Sequence, residues 1–144
     1  MENIHHVSDT SYWVAAFRAQ ESERQDAVFK DTLAKKLSGD KGMAMIAETP
    51  GSAAMAFAMV TRTTAIDRLV MSAISQGVDT VINLDAGLDT RPYRMPLPKT
   101  LKWLEVDFEG IINYKNAMLS TDVPVCMLER IATDLSDRNA RQTF

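Results

Sequence analysis

Gly87 and Asp107 are the two residues whose types and spacing most plainly suggest chemistry in this chain. Gly87 stands in the turn Asp85-Ala86-Gly87-Leu88-Asp89-Thr90, directly after the apolar, β-branched run 78–84. Asp107 closes a second run, Leu101-Lys102-Trp103-Leu104-Glu105-Val106-Asp107-Phe108. A glycine between strand and helix lets the backbone approach a ligand closely, because no Cβ intervenes. A carboxylate at the tip of the neighbouring strand can accept hydrogen bonds from both hydroxyls of a ribose. Strand, glycine turn, helix start, strand and acid is the layout of a nucleoside-binding α/β half. The turn decides which nucleoside. Dinucleotide sites want G-x-G-x-x-G, so that a pyrophosphate can sit on the helix N-terminus. Here those positions read Asp85, Gly87 and Thr90, and an acid in first place repels a pyrophosphate at close range. A nicotinamide oxidoreductase is therefore disfavoured. S-adenosylmethionine has no phosphate and carries a sulfonium and an ammonium beside its carboxylate, so an acidic turn suits it better.

The elements that must position these residues follow from periodicity. Residues 78–84 read as a buried parallel strand. Asp89 or Thr90 then caps a helix, with Pro92 tolerated in its first turn. Residues 101–108 form the second strand and 109–119 a helix on the sheet face. Residues 124–132 offer a third strand, with Val125, Met127, Leu128, Ile131 and Ala132 as its apolar content, and a last helix begins at Arg138. Upstream, Thr10 or Ser11 caps a helix through Tyr12 to Ala19, broken at 22–25. Asp26 starts a second helix, 27–37, that ends at Ser38-Gly39. Residues 41–48 are ambiguous, and Thr49-Pro50-Gly51 is a clear break. The longest helical pattern runs from a Ser52 cap to about Gln76, with Gly77 as its stop. Its apolar face is Met55, Met59, Ile66, Leu69, Val70, Ala73 and Ile74, the methionines read as core filler.

Composition bounds the function classes. The 144 residues are one domain's worth of chain, and 46% apolar content suffices for a core. A net charge of −3 with no basic stripe argues against nucleic acid as a partner. The single cysteine, Cys126, excludes an internal disulfide framework and reads as a core residue of the third strand. No apolar run reaches spanning length and no signal-type segment opens the chain, so no membrane partner and a cytoplasmic location are expected. The His5-His6 pair lacks supporting Cys, Asp or Glu, so no metal is expected.

The run Asn83-Leu84-x-Ala86-Gly87-Leu88-Asp89-Thr90-Arg91-Pro92-Tyr93-Arg94, followed by Trp103-Leu104-Glu105-Val106-Asp107, resembles the leucine carboxyl methyltransferase family, and more closely its bacterial branch of polyketide-type O-methyltransferases. The resemblance covers the whole chain but only the first half of the family's domain. It implies a class I methyltransferase fold, that is, an α/β Rossmann-like doubly wound parallel sheet, here truncated to about three strands. It also implies S-adenosyl-L-methionine as cofactor and a small-molecule or carboxyl methyl acceptor. Asp85 stands where the family often has Gly or Ala. Residues 1–50 resemble the family's helical cap, which closes over the cofactor, and 51–144 the first half of its sheet; plain packing of helices on the sheet is the other reading of the cap. The resemblance places Asp107 on the ribose and Asp134-Leu135 beside the adenine. Arg62 falls where the family has an arginine facing the methionine carboxylate, a fitting task for a guanidinium fork; a surface arginine is the alternative. With Asp85 and Gly87 these make the expected cofactor site. No catalytic residue is named, since in-line methyl transfer needs chiefly positioning of donor and acceptor. The alternative is a non-catalytic remnant that keeps only part of the pocket. Self-association through an open sheet edge is the remaining expectation.

Overall fold

The computed structural model describes residues 9–143, so His5 and His6 lie outside the described residues. The chain divides into two compact units at Ala73/Ile74.

The first unit is helical. α1 (Asp9–Glu23) packs against α2 (Ala34–Ala47), and α3 (Ser52–Ser75) follows. Small side chains let α1 and α2 approach, with Ala15, Ala16, Ala19 and Ala34 buried around Phe17, Leu37 and Ile46. Gly42 sits where a Cβ would lie 2.5 Å from the carbonyl oxygen of Tyr12, so this crossing admits no side chain. The helix expected over 27–37 does not form as such. Residues 27–33 are irregular, and α2 instead runs through Gly39, which breaks its regularity with φ 54° and ψ −167°. Side chains of α1 hold the irregular segment. Arg18 pairs with Asp31 at 2.9 Å, both buried, and Glu21 Oε1 accepts from the Val28 amide at 2.8 Å. Asp31 in turn accepts from the Ala34 amide at 3.1 Å, so it serves the start of α2. The glycine read as a stop does interrupt the helix, which resumes after it; it is the start of the helix that lies later than expected. On α3, Met55, Ala56 and Met59 pack partly against Ala16, Phe17 and Ile46, but Leu69, expected on an apolar core face, is exposed, as is Phe57.

The second unit is a parallel three-stranded sheet in the order β1 (Thr80–Leu84), β2 (Lys102–Asp107), β3 (Met127–Ala132). Between strands lie the short α4 (Arg91–Arg94) and the longer α5 (Glu109–Met118), and α6 (Arg138–Thr143) follows β3. The α/β class and the parallel strands agree with expectation. The register pairs Asn83 with Glu105 and Glu105 with Arg130, and two residues on it pairs Asp107 with Ala132. Side chains alternate across a sheet, so Trp103, Glu105 and Asp107 share one face of β2. α5 lies against β2 and β3, and its Lys115 reaches Glu105, which places it on that face. The opposite face carries Ile82 and Leu84, 54% and 53% exposed. β1 is therefore parallel but not the buried strand its apolar run predicted, because α4 and α5 both serve the other face.

Among the described residues no helix is long and apolar enough to cross a membrane.

Candidate functional site

A parallel sheet brings the carboxyl ends of its strands to one edge, and here β1, β2 and β3 end at Leu84, Asp107 and Ala132. The chain leaves β1 through Asp85 (φ 54°) and Gly87 (φ 52°), two left-handed residues in three. Asp85 is the single non-glycine residue with positive φ among the described residues, and Asp is one of the few types that tolerate it. This double left-handed turn folds the chain back over the end of β2. The Ala86 amide donates to the Val106 carbonyl at 3.2 Å, and the Gly87 amide donates to Asp107 Oδ2 at 2.6 Å. Asp107 Oδ1 accepts from the Phe108 amide at 2.7 Å. Asp107 is 3% exposed, and charge-assisted bonds from two backbone donors hold its carboxylate.

The turn is tied at its far end as well. Asp89 accepts from the Arg91 amide with Oδ1, and from Arg91 Nη1 (2.6 Å) and Asn83 Nδ2 (2.9 Å) with Oδ2. Thr90 occupies the capping position of α4 without making a side-chain cap, so of the two expected caps Asp89 does the bonding. Pro92 falls in the first turn as expected.

The predicted site residues fall as follows. Asp85, Gly87 and Asp107 meet at the ends of β1 and β2, with Gly87 and Asp107 directly bonded. Asp134 and Leu135 follow β3 at the same edge, and the Thr133 amide donates to the Asp107 carbonyl at 2.9 Å. Asp134 is exposed. Its Oδ1 accepts from the Ser136 hydroxyl at 2.6 Å and the Ser136 amide at 2.8 Å, and these bonds hold its carboxyl below the usual carboxylate range. Arg62 is an exposed residue of α3, in the first unit.

A buried polar cluster behind the edge escaped the sequence reading. Glu105 and Lys115 are both fully buried and paired at 2.8 Å. The same carboxylate oxygen, Oε2, accepts from Arg130 Nε at 2.8 Å. Arg130 also donates through Nη1 to Asn116 Oδ1 and through Nη2 to the Tyr93 hydroxyl, each at 2.8 Å. Burial pulls the Lys115 ammonium below the ordinary lysine range, against the opposing pull of Glu105 and Asp89. The available signal was Glu105 itself: an acid two residues before Asp107 in an apolar strand shares its face and demands a buried partner. Cys126, read as a core residue, is 8% exposed, and burial pushes its thiol above the usual range.

The arrangement presents a backbone turn pinned to a strand-end carboxylate, with a second carboxylate one strand away. Residues 11–143 match the family model of leucine carboxyl methyltransferase. A protein of Streptomyces coelicolor is 36% identical over 143 residues, covering 89% of this chain and 49% of its own length. One of Streptomyces avermitilis is 33% identical over 138 residues, at 89% and 49% coverage. One of Mycobacteroides abscessus is 31% identical over 144 residues, at 91% and 48%. Each carries the provisional name of an S-adenosyl-L-methionine-dependent methyltransferase. The chain spans about half the length of these curated relatives. With the glycine turn, the strand-end acids and the parallel sheet, this match over nearly its full length means that the chain belongs to the leucine carboxyl methyltransferase family.

Proposed function

We propose that this chain binds S-adenosyl-L-methionine along the carboxyl ends of β1, β2 and β3 and serves O-methyl transfer to a small-molecule or carboxyl acceptor. The observation that carries the reading is the bond from the Gly87 amide to Asp107 Oδ2. Each Asp107 oxygen takes one backbone N–H, and each keeps a further lone pair. A ribose offers two adjacent hydroxyl donors, which is what those lone pairs fit. Asp134, with the amide and hydroxyl of Ser136 both gathered on Oδ1, keeps Oδ2 for the exocyclic amino group of an adenine, and Leu135 supplies apolar surface beside it. Arg62 is assigned to the methionine carboxylate, and Asp85 to the shape and charge of the cofactor turn. Acidic groups suit a cationic, phosphate-free ligand and disfavour a dinucleotide.

When bound, the sulfonium supplies an activated methyl group. The residues of this chain contribute position: Gly87 permits close approach, and Asp107 fixes the ribose. No side chain here is asked to exchange a proton with the acceptor.

The test is calorimetric titration with S-adenosylhomocysteine and with NAD. Asp107→Ala removes charge-assisted hydrogen bonds, and the affinity for S-adenosylhomocysteine is expected to fall about ten- to a hundredfold. Equal affinity in the parent and the variant removes Asp107 from the site, and preference for NAD overturns the reading altogether.

A further inference from the structure

Three elements converge on one guanidinium carried by a fourth. Arg130 of β3 uses Nε for Glu105 of β2, Nη1 for Asn116 of α5 and Nη2 for Tyr93 of α4, each at 2.8 Å. Lys115 of α5 adds a second buried donor to the same Glu105 oxygen. A planar fork that meets three partners fixes them in direction as well as distance. Buried ion clusters give little net stability, because desolvation offsets most of the attraction; their better-attested use is to specify one arrangement.

What this cluster specifies is set by its neighbours in sequence. Glu105 precedes Asp107 by two residues on the same face of β2, and the pair Glu105–Arg130 is the same-face rung before Asp107–Ala132. Tyr93 lies on α4, the helix that the Gly87 turn leads into. The cluster therefore grips both partners of the Gly87–Asp107 hydrogen bond, β2 on one side and α4 on the other. We propose that Arg130, Glu105, Lys115 and Tyr93 are positioning residues that hold the Gly87 turn against Asp107 and so keep the strand edge ready for the nucleoside. Its consequence for ligand binding rests on the cofactor reading above; its consequence for the turn does not.

The experiment measures amide hydrogen exchange at Gly87 by NMR in the uniformly labelled chain, alongside titration with S-adenosylhomocysteine. In Arg130→Met, exchange at Gly87 is expected to quicken about tenfold or more, with α1 amides unchanged. Arg130→Lys, which can still reach Glu105 but cannot fork to Tyr93 and Asn116, is expected to recover part of the protection. Tyr93→Phe deletes one hydroxyl and is expected to give a smaller quickening; it decides the matter where Arg130→Met fails to fold. Gly87 exchange at the parent rate in folded Tyr93→Phe and Arg130→Met overturns the proposal. A parent that ignores S-adenosylhomocysteine while Arg130→Met still loosens Gly87 retires the cofactor reading and keeps the positioning role. Tight binding in the parent with an unmoved Gly87 does the reverse.

Discussion

Asp107 has two tasks, and single substitutions can separate them. Its carboxylate accepts from the Gly87 and Phe108 amides inside the protein. Removing a buried acceptor strands those donors, at a cost of about 1–3 kcal/mol. Asp107→Ala is therefore expected to lower stability in urea unfolding by that amount with no ligand present, in addition to weakening S-adenosylhomocysteine. Unchanged stability with weakened binding would mean that water satisfies both amides without loss. Asp85 poses a different problem, one of backbone strain. It holds φ 54° without being glycine, a conformation that costs a non-glycine residue about 1 kcal/mol or more. Asp85→Gly is expected to raise stability by up to about 1 kcal/mol and to preserve cofactor binding. Asp85→Val, β-branched and intolerant of positive φ, is expected to destabilise. If Asp85→Gly abolishes binding while stability rises, the carboxylate is itself a ligand of the ammonium group.

The cluster between α5 and the sheet makes stability depend on pH through Lys115. Burial depresses its pKa, so the folded protein releases a proton that the unfolded chain still holds. Stability from this group is thus complete above the ordinary lysine range and is lost as pH falls through the depressed value. Cys126 works in the opposite sense. Its raised pKa keeps a proton in the folded state, so its contribution falls as pH rises beyond the usual thiol range. The informative quantity is the difference between the parent and Lys115→Met in denaturant unfolding from about pH 7 to 10. The variant is expected to lack the rise with pH, and to be no less stable near neutrality, since Arg130 alone balances Glu105. A parallel pair of pH profiles would show that Lys115 stays charged in the fold. The sequence hid this cluster although it displayed the elements that build it. Strand and helix spacing from Lys102 to Met118 was legible because alternation and the glycine turn are local signals. Lys115 and Arg130 were not, because a buried cation looks like a solvated one until its partner across the register is known. The misplaced start of α2 has the same origin. Residues 27–33 have a helical pattern, but Arg18 and Glu21 of α1 capture Asp31 and the Val28 amide, and tertiary bonds of that kind leave no local trace.

Among the described residues, part of the exposed apolar surface gathers on one face of the sheet. Ile82, Leu84 and Met127 all stand on the sheet face away from α5, where register places Ile82 beside Leu104, Leu84 beside Val106 and Met127 beside Lys102. β1 and β3 are both edge strands, with backbone donors and acceptors available for pairing. Lys102 and Glu129 interrupt the patch with charge, which moderates its stickiness without covering it. Covering Ile82 and Leu84 alone would yield roughly 1–3 kcal/mol, given about 25 cal/mol for each Å² withdrawn from water. That gain is too small for a tight dimer on its own. Combined with edge pairing, it supports concentration-dependent association in the micromolar-to-millimolar range. The 144-residue chain is accordingly expected to self-associate in sedimentation velocity and to bind S-adenosylhomocysteine weakly. Ile82→Lys with Leu84→Glu removes the apolar patch while leaving the Gly87 turn and Asp107 untouched. The double variant is expected to run as a monomer with its affinity for S-adenosylhomocysteine preserved. Association that persists in the variant would transfer the interface to the exposed side chains of α3, Phe57 and Leu69. A monodisperse parent would show instead that the exposed face does not drive association.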